Sequence, residues 1–127
     1  MTPEGLFHTW YAAQSSLIAL LPAASLFTGQ VRDENQALPY ATVNIQRTSG
    51  IHTNTGRTYE AELEFELFSR SWSEGRGLCD ELYDQLDNAS LSGSGITITR
   101  ARFRQEWYLQ EPDGVEHFLQ RYSLTIN

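Results

Sequence analysis

The sequence predicts a small α+β domain: a mainly antiparallel four- to five-stranded sheet with two helices packed on one face. Three observations lead there. Between Arg57 and Phe68, Tyr59, Ala61, Leu63, Phe65 and Leu67 alternate strictly with Glu60, Glu62, Glu64 and Glu66. That is the period of a strand with two unlike faces. Two other stretches repeat apolar residues every three or four positions, the period of a helix with one buried stripe. Near the C-terminus, two further alternating stretches flank Glu111-Pro112-Asp113-Gly114, whose proline at the second and glycine at the fourth position mark a type I turn.

The elements follow in order. Thr2-Pro3-Glu4 combines a cap residue, a proline at the first helical position and an acid in the first turn, so a helix is expected from about Pro3 to Leu20, stopped by Pro22. Its stripe is Phe7, Trp10, Ala13 or Gln14, Leu17 and Leu21. A short strand over 25–32 and a polar loop over 33–39 come next, then a strand over 40–47 with Ala41, Val43 and Ile45 facing the core. The polar, glycine-containing stretch 47–57 reads as a long hairpin loop able to reach a neighbour, with Ile51, His52 and Asn54 as its contact residues. Trp72-Ser73-Glu74 begins a second helix, with Leu78, Cys79, Leu82, Tyr83 and Leu86 inward and Asp80, Glu81, Asp84 and Asp87 outward. A flexible turn over 90–95 leads to the closing strands, 96–110 and 115–126.

A chain of 127 residues is expected to form a single domain over 1–127 with a core of its own. Sixteen acidic residues stand against nine basic ones, all arginine, for a formal charge of -7. Such a surface disfavours binding to nucleic acid or to anionic membranes. The single Cys79 excludes an internal disulfide and a cysteine zinc cluster, and reads as a small core residue. No basic leader is seen, and the longest apolar run, 17–21, is far short of a membrane span, so neither a signal peptide nor an anchor is expected.

Burying the apolar row of the 57–68 strand contributes roughly 1.5 to 3 kcal/mol per large side chain, whereas an unpaired buried carboxylate costs several kcal/mol. The glutamates therefore meet water, arginines or an aqueous channel. Arg100, Arg102 and Arg104 repeat at the same spacing. Two readings stand. The rows are solvated faces that keep the sheet soluble, or one row lines an aqueous passage or meets the opposite row on an adjacent subunit. Ile96 and Ile98 share the arginines' parity while Phe103 and Trp107 do not, so a bulge near 99–101 is expected.

His8, His52 and His117 lie far apart, without a partner at zinc spacing, and read as ordinary surface groups. Ser92-Gly93-Ser94-Gly95 lacks the setting of a nucleophile elbow. There is no phosphate loop or dinucleotide fingerprint. No cofactor, metal or catalytic residue is expected, and a small binding module or enzyme remains the alternative, with a pocket between the first helix and the sheet where Trp10, Tyr11 and Trp72 gather.

The chain also resembles the tail-terminator, or tail-completion, proteins of long-tailed bacteriophages and prophages. The likeness lies in the N-terminal helix with its leucine-rich end (17–21), the short strand at 26–32, the loop closed by Leu38-Pro39-Tyr40 and the strand 41–46. It continues through the alternating strand 59–68, Ser71-Trp72-Ser73 leading into a helix that ends near Leu86-Asp87, and the C-terminal strand pair. The resemblance implies a non-enzymatic structural protein that forms a ring, commonly hexameric, caps the tail tube and joins it to the head. Its implied partners are its own copies, the tail tube protein and a head-completion or connector protein, with DNA passing through unbound and no membrane involved. Its implied place is the tail-head junction of the virion, and the bacterial cytoplasm during assembly. On that resemblance Glu60, Glu62, Glu64 and Glu66 become lumen or interface groups, and Arg100, Arg102 and Arg104 candidates for pairing between subunits.

Overall fold

The computed structural model describes residues 1–30, 36–53 and 56–127, with the side chains of residues 50–57 outside the described set. Thr2 starts helix α1 (Pro3–Ala12), its Oγ1 accepting the Gly5 N–H at 3.0 Å. Proline sits in the first turn, where no N–H is needed, and Glu4 sits at the positive end of the helix dipole. The helix stops well before Leu20, a correction to the expected span. Gln14 leaves helical geometry, and a separate turn, α2 (Ser15–Ile18), follows. Tyr11 is the cause. Its ring is fully buried, and its hydroxyl donates to the Leu21 carbonyl at 2.8 Å, so the chain folds back over the ring.

A 3-10 turn (Ala23–Ser25) leads to β1 (Leu26–Thr28), shorter than the strand expected over 25–32; Arg32 lies outside the described residues. Then come β2 (Tyr40–Thr53) and β3 (Gly56–Ser69), paired antiparallel from Tyr40↔Phe68 to Thr53↔Gly56. The long loop expected over 47–57 is therefore a strand hairpin. The polar residues there give no apolar alternation, yet the ladder satisfies those of their backbone N–H and C=O groups that face the partner strand. A bulge between Arg47 and Ser49 resets the facing.

Helix α3 (Trp72–Leu86) begins where the sequence places it, with Ser71 Oγ accepting the Glu74 N–H at 3.3 Å. Asn88, in left-handed conformation (φ 67), follows its end. The segment expected as a flexible turn over 90–95 contains β4 (Leu91–Gly93), because Leu91 is buried and its strand pairs with β5 (Ile96–Gln110). Strand β6 (Glu116–Ile126) closes the chain after the predicted turn, in which the Gly114 N–H meets the Glu111 carbonyl at 3.0 Å.

The sheet has six strands in the order β1-β2-β3-β6-β5-β4, where four to five were expected. All neighbours are antiparallel except β1 and β2, which run parallel. The main helices cover one face, as predicted: Phe7 of α1 meets Phe65 edge-on with ring centroids 6.5 Å apart, and Gly75 of α3 rests on the Phe118 ring. Beneath α3 the Arg76 guanidinium grips both Glu106 oxygens at 2.6 and 2.5 Å and holds that carboxyl below the usual range. Buried Gln120 donates to Glu106 and to the Cys79 carbonyl and accepts from the Tyr122 hydroxyl. Burial pushes the Cys79 thiol up to about 12.

Candidate functional site

The face of the sheet opposite the helices carries the predicted charge rows. On β3 the apolar parity is buried, and Glu60, Glu62, Glu64 and Glu66 point the other way, partly exposed. Their neighbour across the ladder is β6, whose outward residues answer them in turn. The Thr125 hydroxyl donates to Glu60 at 3.2 Å. Arg121 lies 3.5 Å from Glu62 and 3.0 Å from Glu64, with side-chain exposures of 38%, 42% and 30%. His117 Nε2 lies 3.3 Å from Glu66 Oε2, outside hydrogen-bonding geometry, a contact that becomes an ion pair when the ring is protonated. Nδ1 faces Glu111 at 3.2 Å. The Glu66 carboxylate raises the His117 pKa against the opposing effect of burial, with Glu111 adding to the rise.

The arginine row does not face the glutamate row directly, because β6 lies between β3 and β5. Arg100 and Arg102 stand level with Thr125 and Ser123, about 10 Å or two strand spacings from the glutamates. Arg100 donates to Asn88 Oδ1 at 3.2 and 3.0 Å, and Arg104 donates to Ser123 Oγ at 2.6 Å. Among the described residues none of these three arginines forms an ion pair. The expected bulge is present, between Ile98 and Arg100. A second one, between Phe103 and Gln105, was not expected and turns Trp107 onto the charged face while Phe103 stays with the core. The face is thus divided laterally, glutamates on β3 and free arginines on β5.

Sequence reasoning missed two features of this face. Arg121 and His117 share the outward parity of β6 and answer the glutamates, a link visible only once β6 lies beside β3. His117 is therefore no ordinary surface group. The second feature is a row of rings crossing five strands: Phe27, Tyr40, Phe68, His117 and Trp107, with successive centroids 6.4, 4.9, 4.4 and 5.4 Å apart. Tyr40 and Phe68 stack, as do Phe68 and His117. The side chains of Ile51, His52 and Asn54, expected as loop contacts, lie outside the described residues.

The alternative pocket is not formed as expected. Tyr11 is fully buried, Trp10 packs against the core and Trp72 is 51% exposed. A hollow of about 280 Å³ lies instead between the segment that follows α2, the start of α3 and the end of β3, lined by Leu20, Leu21, Leu67, Gly77 and Leu78 among others. None of those three aromatic residues lines it. Among the described residues no three of His, Cys, Asp and Glu converge as metal ligands, and no helix is long and apolar enough to cross a membrane.

No family model and no curated protein matches this sequence. The fold is that of a chain from the virion of a native gene transfer agent particle, with a TM-score of 0.78 at 13% identity, covering 95% of this chain and 90% of that one. A second solved chain superposes with a TM-score of 0.62 at 11% identity, covering 100% of this chain and 97% of that one.

Proposed function

We propose that this chain is a non-enzymatic structural component of a phage or phage-like virion. In this reading it assembles with its own copies into a ring, commonly a hexamer, that caps the tail tube and joins it to the head. The observation that carries the proposal is the likeness over nearly the whole length to a chain of a gene transfer agent virion, in agreement with the family resemblance of the sequence. The divided sheet face supports it, since glutamates on one side and unpaired arginines on the other suit a contact between copies. Assembly then needs the tail tube protein and a head-completion or connector protein as neighbours. The formal charge of -7 lets DNA pass without sticking. The protein works at the tail-head junction and is made in the bacterial cytoplasm.

Light scattering coupled to size exclusion, over a range of concentration and salt, tests the reading together with electron micrographs of the protein mixed with tail tubes. A ring, free or seated on the tube end, is the expected result. A strict monomer that leaves tube ends bare overturns it.

A further inference from the structure

Both borders of the sheet are stepped. On one, β1 covers only 41–43 of β2, and among the described residues no strand lies beside 44–47. On the other, β4 covers 96–98 of β5, and the chain after α3 bonds Ala101 and Phe103 through Asn88, Ala89 and Asp87. Beyond them, 105–110 has no strand beside it among the described residues. This open stretch holds three consecutive exposed apolar residues, Trp107, Tyr108 and Leu109, at 43%, 41% and 43% exposure. It carries no lysine or proline, two of the usual devices that keep a border strand from pairing, and the bulge between Phe103 and Gln105 lies before it.

The backbone phase of the two open stretches matches. The Glu111 N–H donates to the Val115 carbonyl, so in an antiparallel ladder Leu109 and Trp107 bond inward to β6, while Gln110, Tyr108 and Glu106 turn their N–H and C=O groups outward. On β2 the Val43 carbonyl accepts from the Gly29 N–H, which turns Ile45 and Arg47 outward as well. Both outward sets belong to the helix-bearing face. Strands meeting in this phase extend the sheet with all helices on one side.

We propose that 108–110 of one copy, the end of this open stretch, pairs antiparallel with 45–47 of the next copy, so that the ring is held by a sheet running through its subunits. This inference rests on the ring reading above and names its contact. Ring formation selects unlike borders. Two β5 borders, or two β2 borders, would pair about a two-fold axis and stop at a dimer, whereas the β5 border of one copy against the β2 border of the next is a heterologous contact that forms a ring where the rotation closes.

The geometry also closes. Tyr108 stands level with Ala41 through Phe118 and Leu67, and setting it opposite Arg47 leaves β1 in place. That shifts neighbouring copies by about six residues, roughly 20 Å, over the four strands β2-β3-β6-β5 that run through the contact, about 19 Å, a strand tilt of about 46°, at the steep end of what closed sheets adopt. The bulge at Arg47 and Ser49 turns the rest of the hairpin aside.

In this register Leu109 faces Gln46 as a non-hydrogen-bonded pair, close enough for a disulfide. The test uses the full chain with Leu109→Cys, with Gln46→Cys, and with both, under mild oxidation, each checked for native circular dichroism. Fully buried Cys79 leaves the unmodified chain as a silent control. The two single variants mixed are expected to give a disulfide dimer that neither gives alone, and the double variant a non-reducing ladder ending at ring size. Tyr108→Cys with Arg47→Cys reads the same register on the other face should the first pair fail to fold. A dimer from Leu109→Cys alone overturns the proposal. So does a ring seen by light scattering without any cross-link, which leaves the ring reading standing; a monomer under all conditions removes both.

Discussion

Two glycines of α3 are expected to respond to alanine with opposite signs. A Cβ on Gly75 would lie 2.3 Å from a ring carbon of Phe118, whereas one on Gly77 would meet nothing within 4 Å. Alanine is favoured over glycine within a helix by about 0.8 to 1.0 kcal/mol, so Gly77→Ala is expected to stabilise by up to about 1 kcal/mol. Gly75→Ala has the same gain but must displace a fully buried ring held between Tyr108, at a centroid distance of 5.0 Å, and Arg76, at 5.7 Å. Overpacking of this kind costs about 1 to 3 kcal/mol. In the difference between the two variants the helix preference cancels and the overpacking stands alone. With an unfolding entropy of about 2.1 cal/mol/K per residue, each kcal/mol moves Tm by about 4 °C in a chain of this length. The two variants should therefore melt about 4 to 11 °C apart, with Gly75→Ala the lower. Thermal unfolding followed by far-ultraviolet circular dichroism measures this directly. Equal melting, or Gly75→Ala as the more stable of the two, would refute the seating of α3 on Phe118.

Glu62→Lys with Glu64→Lys removes two half-exposed contacts to Arg121, together worth no more than about 2 kcal/mol, yet should abolish self-association; unchanged light scattering returns these residues to the role of a solvated face. His117 has a raised pKa in the folded state, so its contribution is complete below its unfolded value of about 6.5 and is lost as pH rises through the folded value. His117→Gln should accordingly lower Tm more at pH 6 than at pH 8.5, and an equal loss at both contradicts the pairing with Glu66. Tyr11→Phe leaves the buried Leu21 carbonyl without the 2.8 Å donor that satisfies it and should cost about 1 to 3 kcal/mol; urea unfolding that matches the unmodified chain would show that the carbonyl has found another partner.

Reading the chain in order recovers the elements whose cause is local. The Thr2 and Ser71 caps, the alternation of β3, the 111–114 turn and the bulge near Thr99 all rest on residues within a few positions of one another. Elements held by a partner segment, without an alternating or helical pattern of their own, were misread. Tyr11 interrupts the first helix because Leu21 receives its hydroxyl, and β4 forms because β5 is there to pair with it. The hairpin persists through 47–53 and from Gly56 because two backbones satisfy each other where the side chains give no alternating signal. The charged face was half legible: the parity of the glutamates is a property of β3 alone, but their partners Arg121 and His117 lie more than fifty positions away, on β6.

Periodicity along one strand or helix decides which side chains share a face, since 2.0 and 3.6 residues per repeat are properties of the backbone itself. For this chain that sufficed to separate core from charge. The order of strands, which charges become neighbours, and which borders stay open depend on the lateral packing of segments far apart in sequence. Only the folded sheet places β6 between the two charged rows, lines five rings across its face and leaves 105–110 uncovered.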